Sequence, residues 1–384
     1  MSQGRKRILI SIDWFAPGYK AGGPIRSCVN FAYGMRDQYE IYIITGDRDF
    51  GDYQAYENIQ ANSWINYDKG IKVYYANPDS INLSFWRKEI SKINPDFVYL
   101  NNLFSTSFCF LPLLARKSSV PQAKWILAPR GMLHAGAIQY KGSKKKLYLT
   151  ALKWLGLSKH LHFQATDEQE QKDIVKYFNP RTPIQIIENL PHAHVKERVA
   201  RKKDKGFLKA IFFSRISPKK NLDFFLEILR GTRARLDLDI IGPIEDTSYW
   251  KHCQQIAAGL EENLNMEYLG VFPHEEVMKQ LENYHLFVLP THGENFGHAI
   301  FEAILSACPV LISDQTPWRN LESKKVGWDI PLSDTDKYKE VIENLTQMDQ
   351  ENWDNWSKSS WQYGKNYLAT SKTKERYKHL FQHA

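Results

Sequence analysis

Short runs of apolar and β-branched residues alternate with longer segments of helical period along most of the chain. Each short run is typical of a buried strand, and each longer segment places its apolar residues on one stripe of a helix. Because a strand, a helix and a second strand form a parallel βαβ unit, the alternation predicts parallel sheets with helices on both faces. The strand-like runs are residues 7–12, 41–45, 72–75, 97–100, 125–128, 184–187, 208–214, 236–241, 267–270, 285–289 and 310–313.

The alternation is interrupted once, at residues 191–205, which read PHAHVKERVARKKDK. This polar, basic stretch has neither strand nor helix periodicity, so we interpret it as an interdomain linker between residues 1–190 and residues 206–350. Residues 351–384 form a helical segment that is predicted to pack back across both domains. We expect two Rossmann-like, doubly wound α/β domains that face each other across a cleft, with ligands at the C-terminal ends of the strands.

The composition is typical of a folded, soluble protein. Of the 384 residues, 43% are hydrophobic and 24% are charged, which is too apolar for disorder, and the net charge is +8. The four cysteines lie far apart without a CxxC pair, which argues against a disulfide framework and favours a reducing compartment. The first apolar stretch ends at Asp13, too early for a signal peptide, and no run reaches the roughly 18 residues of a membrane span. We expect a cytoplasmic protein.

The turn after the first predicted strand contains Gly22 and Gly23, followed by Pro24. The spacing does not match GxGxxG, so the dinucleotide fingerprint is not met. Two glycines still let a ligand approach the backbone closely, and the N–H groups at the start of the next helix favour a phosphate. The alternative is a tight βα turn with only a structural role.

Two basic residues follow the first strand of the second half, in the segment FFSRISPKKNLDFF. Arg215 stands just past the strand and Lys220 follows it in the same turn. A guanidinium can donate to two phosphate oxygens and an ammonium supplies a point charge, so the pair suits a diphosphate. The alternative is a solvated basic loop, which is the role we assign to Lys219.

Residues 290–314, PTHGENFGHAIFEAILSACPVLISD, carry the most specific pattern. A predicted strand leads into a loop that contains Glu294 and then into a helix that carries Glu302, with seven residues between the two carboxylates. Carboxylates accept hydrogen bonds from sugar hydroxyls, and Gly297 lies between them. Either glutamate alone is typical of a capping or surface residue, but together they indicate a nucleotide-sugar site.

This segment resembles the E-x7-E motif of the retaining GT-B glycosyltransferases of family four, of the kind that build bacterial polysaccharide and lipopolysaccharide. SRISPKKN resembles the Arg-x4-Lys segment of that family, and GGP resembles its N-terminal glycine loop. IIEN, IGP and YLGV, which begin at residues 186, 241 and 268, follow in matching order. The resemblance covers nearly the whole chain and implies the GT-B fold.

The resemblance also implies roles for individual residues. Arg215 and Lys220 would bind the donor diphosphate and stabilise the leaving group, and Glu294 would hold hydroxyls of the donor sugar. Glu302 would accept hydrogen bonds from the ribose hydroxyls. The residues implied to bind the donor are Gly22, Gly23, Gly242, Val271, Asn295, Phe296, Gly297 and Glu302.

One stretch departs from the pattern of the family. Many members carry a histidine after the fifth N-terminal strand, but here the stretch reads ILAPRGMLHAG, so Arg130 occupies that place and His134 follows four residues later. We expect Arg130 to have the catalytic role. The alternative for His134 is a polar loop residue.

Three Asp-x-Asp pairs are present, and none of them needs a metal to explain it. They are Asp47 with Asp49, Asp237 with Asp239, and Asp334 with Asp336. The resemblance assigns charge compensation to arginine and lysine, and the sequence has no His/Cys cluster with metal-ligand spacing. We therefore expect no metal and no cofactor, only a nucleotide-sugar co-substrate that is a UDP- or GDP-sugar.

Residues 141–163, KGSKKKLYLTALKWLGLSKHLHF, combine lysines with leucines and a tryptophan. A basic helix of this kind can lie on an anionic bilayer, where each lysine near the surface contributes about 1 kcal/mol. The alternative is a domain helix with one buried and one solvated face. The sequence does not decide between these interpretations. The protein is therefore expected in the cytoplasm, with peripheral attachment to the inner membrane face as a second hypothesis.

The leading hypothesis is a retaining glycosyltransferase that moves a sugar from a nucleotide-sugar donor to a hydroxyl of a glycan or lipid-linked acceptor. A GT-B-fold sugar-nucleotide epimerase or phosphorylase is the second hypothesis, although no convincing set of acid and base residues supports epimerisation. A non-catalytic basic scaffold on a membrane or nucleic acid is the third. The basic residues are scattered and match no nucleic-acid-binding motif, so no nucleic-acid partner is expected.

Overall fold

The computed structural model describes residues 5–134, 137–138, 142–159, 161–178, 184–192 and 197–383. The chain divides into two compact units. The first comprises Met1–Leu190 together with Lys372–Ala384, and the second comprises Pro191–Ser371. Each unit contains one mainly parallel sheet, so the predicted pair of doubly wound α/β domains is confirmed.

The first unit is built on β1 (Arg7–Ser11), β2 (Glu40–Gly46), β3 (Trp64–Asp68), β4 (Ile71–Ala76), β5 (Phe97–Leu100), β6 (Lys124–Leu127), β7 (Leu161–Ala165) and β8 (Gln185–Ile186). The strand order is β3-β4-β2-β1-β5-β6-β7-β8, and only the edge pair β3 and β4 is antiparallel. Ile8 and Ile10 of β1 enter the core on one face and Leu9 enters the core on the other. This alternation follows from the two-residue period of a strand, and it means that both faces of the sheet are covered.

Five helices of the first unit lie within its N-terminal segment: α1 (Gly23–Met35), α2 (Leu83–Ile93), α3 (Leu111–Ser119), α4 (Gly142–Trp154) and α5 (Glu168–Phe178). Helix α1 packs on the face of Ile8, and the other four pack on the face of Leu9. Asp167 caps α5 by accepting a hydrogen bond from the Glu170 N–H at 2.7 Å, as the sequence pattern predicts. None of the helices that the structure describes is long and apolar enough to span a membrane.

The second unit is built on β9 (Leu208–Phe213), β10 (Leu236–Ile241), β11 (Leu264–Gly270), β12 (Leu286–Leu289), β13 (Val310–Ser313) and β14 (Gly327–Ile330). All pairs are parallel, in the order β11-β10-β9-β12-β13-β14. This is the doubly wound Rossmann order, in which the chain reverses its direction of travel across the sheet between β9 and β12. Ligands of such sheets bind at that switch point, outside the carboxyl ends of the strands.

The helices of the second unit are α6 (Leu222–Leu229), α7 (Thr247–Ala257), α8 (His274–Gln280), α9 (His298–Leu305), α10 (Thr335–Gln347) and α11 (Gln350–Thr370). Helix α9 is apolar on nearly every side, and α11 packs against it. The contact is close at Gly364, where an added Cβ would lie 2.8 Å from Cδ2 of Leu305. Because α9 is buried on nearly every side, its position and that of its N-terminus are fixed by packing.

Several elements differ from the expectation. Strands β3, β7 and β14 were not among the predicted runs, because their polar residues obscure the apolar pattern. The segment 141–163 is not one helix: α4 ends at Trp154 and Phe163 lies in β7, while Lys141 and His160 lie outside the described residues. The C-terminal segment is helical, as the sequence predicts, and consists of two helices: α11 ends at Thr370, and α12 (Thr373–His383) belongs to the first unit.

The basic segment 197–205 has no regular secondary structure, and residues 193–196 of the predicted linker lie outside the described residues. Two of its cations are nevertheless buried in the second unit. The Arg201 guanidinium donates to the carbonyl oxygens of Glu282 at 2.6 Å and Ala307 at 2.9 Å. Lys203 Nζ donates to the carbonyl of Met348 at 3.2 Å. These bonds satisfy carbonyls next to helix ends, so this part of the segment is attached to the second unit.

We expect a loss of stability in mild acid from His285, which directly precedes β12. Its Nδ1 accepts from the Lys209 N–H at 3.0 Å, its Nε2 donates to the Lys202 carbonyl at 2.8 Å, and the side chain is buried. A proton on Nδ1 would face another donor. Burial, with lesser contributions from nearby cations such as Lys203, lowers the pKa of His285 from 6.5 to about 4.

Between pH 6.5 and 4 the unfolded chain therefore binds more protons at this residue than the folded chain, so stability falls as the pH falls. We expect His285 to account for a decrease of about 3 kcal/mol in the unfolding free energy across this window. Denaturant unfolding at pH 7 and pH 4 measures it. The variant His285→Asn should be less stable at pH 7 but less sensitive to pH, and an equal pH slope in both proteins would contradict the assignment.

Candidate functional site

The strongest cluster of predicted residues lies at the switch point of the second sheet. Lys220 follows β9 and Glu294 follows β12, so both stand at the carboxyl edge, on the two strands between which the order reverses. The Lys220 Nζ forms an ion pair and hydrogen bond with Oε1 of Glu294. Both side chains are largely buried, at 12% and 14% exposure. Because a partly dry environment strengthens the pair, each partner fixes the other.

The two loops that carry this pair are joined by direct hydrogen bonds. The Lys219 carbonyl accepts from the His292 N–H at 2.9 Å and from the Thr291 hydroxyl at 3.1 Å. Asn221 Nδ2 donates to the Pro290 carbonyl at 3.0 Å. The Glu294 N–H donates to the Gln315 carbonyl at 3.1 Å, which ties the loop to the end of β13 as well. These bonds to backbone groups hold the two loops together, so the closeness of Lys220 and Glu294 does not depend on their side-chain rotamers alone.

The electrostatics of the site keep Glu294 ionised. Burial by itself raises the pKa of the Glu294 carboxyl, but the charges of Lys220 and Lys219 and hydrogen bonds from Lys220 and Thr291 outweigh it. The pKa of Glu294 is therefore below its ordinary value. Lys219 is exposed, as predicted for a solvated loop residue, and still contributes its charge to the carboxylate.

Helix α9 begins four residues after Glu294. Gly297 is the N-cap residue with φ of +75°, a conformation that favours glycine, and no side chain caps the helix. The carbonyl of Phe296 accepts from Nε1 of Trp318 at 2.6 Å, which holds the turn. The backbone N–H groups at such a helix start point outward and carry partial positive charge, so they bind anions. Asn295, Phe296 and Gly297 thus occupy the turn where the sequence predicts donor contacts.

Arg215 and Gly242 lie at the same edge, after β9 and β10. The Arg215 guanidinium pairs with the Glu245 carboxylate at 2.9 Å, and both side chains are about one-third exposed. Arg215 and Lys220 therefore engage different carboxylates in this structure. An added Cβ at Gly242 would lie 1.9 Å from the Ser214 carbonyl oxygen, so only glycine fits there. This close approach explains the glycine without a ligand, and the predicted donor contact at Gly242 remains a prediction.

Glu302 has a partner that the sequence did not reveal. Oε1 of Glu302 is 2.7 Å from Nε2 of His274, with 3% and 10% of the two side chains exposed. His274 is the first residue of α8, in the segment VFPHEE that also contains the predicted donor contact Val271. The sequence gives one indication that this histidine belongs to the site: it begins a helix, directly after a proline in the turn that follows a strand. Nothing in the spacing indicates which carboxylate it meets.

In the first unit, the glycine loop is held in place by an aspartate. Gly22 has φ of +67°, which favours glycine, and is the N-cap of α1, whose N-terminus has no side-chain cap. Asp49 Oδ2 accepts from the N–H groups of Tyr19 at 2.7 Å and Lys20 at 3.0 Å. Space is open around an added Cβ at Gly22 and at Gly23. The loop is therefore ordered next to an uncapped helix start.

Arg130 is held within the first unit. Its guanidinium donates to the Asn101 side chain at 2.8 Å, to the Tyr99 hydroxyl at 2.7 Å and to the Asn189 side chain. These bonds explain a positional role for Arg130, and its predicted catalytic role is not tested by them. His134 Nδ1 lies 2.5 Å from Oδ2 of Asp173, so His134 has a carboxylate partner within its own unit.

One aspartate of each Asp-x-Asp pair has a structural partner. Asp49 holds the glycine loop, Asp239 accepts from the Tyr284 hydroxyl at 2.7 Å, and Asp334 caps α10. Within the described parts of the chain, no three His, Cys, Asp or Glu side chains are grouped as metal ligands.

Comparison with known proteins finds a family match within the second unit. Residues 195–360 match the family model described as glycosyl transferases group 1. No curated protein sequence matches the chain. Among solved structures, HepE from Anabaena in complex with UDP and glucose has a TM-score of 0.69 at 14% identity, with 99% of this chain and 100% of that chain covered.

Two further solved structures are similar to this chain over nearly their full length. TarM from S. aureus, in complex with fondaparinux, alpha-GlcNAc-glycerol and UDP, has a TM-score of 0.67 at 14% identity, covering 98% of this chain and 99% of that chain. WaaG, a glycosyltransferase involved in lipopolysaccharide biosynthesis, has a TM-score of 0.57 at 12% identity, covering 98% and 100%. The chain therefore has the GT-B fold, and its second unit matches the group 1 glycosyl transferases.

Proposed function

We propose that the protein is a retaining glycosyltransferase that transfers a sugar from a nucleotide-sugar donor to a hydroxyl group. The observation that carries the proposal is the Lys220–Glu294 pair beside the uncapped N-terminus of α9, inside the segment that matches group 1 glycosyl transferases. A cation and a helix start suit a diphosphate, and an ionised carboxylate suits sugar hydroxyls. These are the two ends of the bond that a glycosyltransferase breaks.

In the proposed reaction, the bond between the anomeric carbon and the diphosphate oxygen breaks, and the acceptor oxygen bonds to the same face of that carbon. The acceptor proton passes to the departing phosphate oxygen. The negative charge that develops on the diphosphate is stabilised by Lys220, Arg215 and the N–H groups at the start of α9. Because these donors are already in place, they need not reorganise during the reaction. Glu294 orients the sugar, and we assign no catalytic metal.

The nucleoside end of the donor is assigned to the β10 and β11 edge. Glu302, held by His274, accepts from the ribose hydroxyls, and the backbone near Val271 contacts the base. We take the donor to be a UDP- or GDP-sugar, and the UDP present in the HepE and TarM structures favours UDP. We keep Gly22 and Gly23 of the first unit, around which space is open, as predicted donor contacts.

A panel of nucleotide sugars tests the proposal. We expect one donor to raise the melting temperature of the protein and to release its nucleoside diphosphate in the presence of an acceptor. Chromatography distinguishes the alternatives, because an epimerase returns an altered nucleotide sugar and a non-catalytic scaffold returns the donor unchanged. Either of those results would overturn the proposal.

We further propose that a glycan or lipid-linked acceptor is reached at an anionic membrane surface on the cytoplasmic side, through α4. On this helix Leu149 and Leu152 are buried, whereas Leu147 is 72% and Trp154 is 84% exposed. Lys144, Lys146 and Lys153 accompany these exposed apolar side chains. Lysines around an exposed tryptophan and leucine suit the interface of an anionic bilayer.

Binding to liposomes tests this surface. We expect the protein to sediment with phosphatidylglycerol vesicles at low salt, and less with phosphatidylcholine vesicles or at high salt, because the attraction is electrostatic. Changing Lys144, Lys146 and Lys153 together to Ser should abolish sedimentation. Lys145 is spared because its Nζ donates to the Ala137 carbonyl at 2.5 Å.

The matched control changes Arg87, Lys88 and Lys92 of α2 to Ser, which removes the same charge from the same unit. If both triple variants bind as the wild type does, or if the wild type does not bind, α4 serves only the packing of its unit.

A further inference from the structure

The turn between Glu294 and α9 is held at both ends by the loop that follows β13. At one end, the Glu294 N–H donates to the Gln315 carbonyl at 3.1 Å. At the other end, Nε1 of Trp318 donates to the Phe296 carbonyl at 2.6 Å. Trp318 therefore contacts the backbone of the segment in which the proposed donor groups lie.

The indole of Trp318 is itself fixed. The Trp318 N–H donates to Oγ1 of Thr316 at 3.2 Å, which closes a tight turn of the loop. The side chain is 4% exposed and stacks on Phe301 of α9, with ring centroids 5.3 Å apart and 10° between the ring planes. Tyr367 of α11 packs against it with a centroid distance of 5.2 Å. A phenyl ring could also fill this aromatic cluster, so the indole N–H is what tryptophan adds.

The bond to the Phe296 carbonyl also determines the direction of an N–H group. The peptide that joins Phe296 to Gly297 is trans and planar, so its N–H points away from the side on which the indole holds the carbonyl. Glycine adopts positive and negative φ with similar ease, and Gly297 has φ of +75°. A peptide that precedes a glycine can therefore rotate at low cost, and the indole holds this one in a single orientation.

We propose that Trp318 is a positioning residue for the glycosyl transfer, because its indole holds the Phe296–Gly297 peptide so that the Gly297 N–H faces the departing diphosphate. The inference rests on the proposed function. Trp318 does not contact the donor and exchanges no proton. As the bond between the anomeric carbon and the diphosphate oxygen breaks, negative charge grows on that oxygen, and an N–H group that already faces it stabilises the charge without first rotating.

Two substitutions of Trp318 separate the N–H group from the packing of the ring. Trp318→Phe keeps a ring on Phe301 but has no N–H, so we expect kcat to fall by about 10-fold while KM for the donor changes by less than about twofold. Trp318→His loses the second ring, but its Nε2–H can occupy the place of the indole N–H. We expect this variant to keep kcat within about threefold of the wild type, although it should have the lower melting temperature of the two.

The activity is measured as release of the nucleoside diphosphate by the full-length protein, with the donor that the panel identifies and with glycerol as the acceptor. Binding supplies a second readout. The free nucleoside diphosphate carries more negative charge on its terminal phosphate than the intact donor does. Trp318→Phe should therefore weaken binding of the nucleoside diphosphate by about fivefold and binding of the donor by less than about twofold, because a charged acceptor gains more from an N–H group.

The matched control removes the same kind of bond elsewhere in the second unit. Nε1 of Trp353 donates to the His285 carbonyl at 3.1 Å, and the Trp353 side chain is fully buried. His285 directly precedes β12, so this bond lies at the amino edge of the sheet, opposite the edge of Glu294. Trp353→Phe should lower the melting temperature as Trp318→Phe does, but should keep kcat within about twofold of the wild type.

The outcomes separate this inference from the proposed function. If the wild type releases no nucleoside diphosphate from any donor, the proposed function fails and this inference fails with it. If the wild type is active and folded Trp318→Phe keeps its kcat, only the role of Trp318 is overturned. A folded Trp318→His that loses activity by about 10-fold or more also overturns it, since packing and not the N–H would then matter. Equal losses of affinity for the donor and the nucleoside diphosphate would overturn it as well.

Discussion

Changing Lys220 to alanine is expected to lower turnover by about 100- to 1,000-fold, which is the typical cost of removing one preorganised charge-stabilising donor. The ammonium is assigned to the departing diphosphate, and it is held by Glu294 and by the backbone bonds between the loops after β9 and β12. UDP affinity should fall as well, because the diphosphate loses a cation in a largely buried place. Steady-state kinetics and calorimetry with UDP measure the two effects.

Controls separate this loss from unfolding. Lys220→Ala leaves the Glu294 carboxylate without its nearest cation, so the melting temperature must be compared as well. Lys220→Arg keeps the charge, and Lys251→Ala removes a lysine from the exposed side of α7. Arg215→Ala should weaken UDP binding less than Lys220→Ala does, since Arg215 is more exposed and pairs with Glu245. Unchanged UDP affinity in both alanine variants would mean that Lys220 and Arg215 are only solvated loop residues.

The sequence predicted what depends on local pattern. The runs at 97–100, 236–241 and 310–313 coincide with β5, β10 and β13, because short apolar runs bounded by turns specify buried strands. Lys220 and Glu294 could be found in the same way. Each lies in the loop that follows a strand, and the Rossmann order alone brings the ends of those two strands together.

What the sequence could not supply are contacts between distant residues. His274 and Glu302 are 28 positions apart, and Arg130 and Asn189 are 59 apart. Which histidine meets which carboxylate depends on the register of the loops, and no local periodicity encodes that register. The burial of Arg201 and Lys203 in the basic segment could not be predicted for a related reason. Carbonyls near helix ends accept their hydrogen bonds, and those contacts depend on the tertiary structure.

Changing Glu294 to glutamine is expected to lower turnover by at least an order of magnitude while the fold survives. Glutamine has nearly the same shape, so the loop after β12 keeps its bond to the Gln315 carbonyl, but the side chain loses its negative charge. A neutral amide accepts weaker hydrogen bonds from sugar hydroxyls than an ionised carboxylate does. The same change releases the Lys220 ammonium from its ion pair.

That release gives the two variants opposite signatures in UDP binding. Lys220→Ala removes the cation that meets the diphosphate, whereas Glu294→Gln leaves it free to do so, and UDP affinity should be kept or increased. Calorimetry with UDP, turnover of the donor and the melting temperature are measured together, with the exposed Glu262→Gln as the matched control. Near-normal turnover in folded Glu294→Gln would remove Glu294 from the donor-sugar site. A loss of UDP affinity as large as that of Lys220→Ala would mean instead that the ion pair, and not the carboxylate, is what the donor needs.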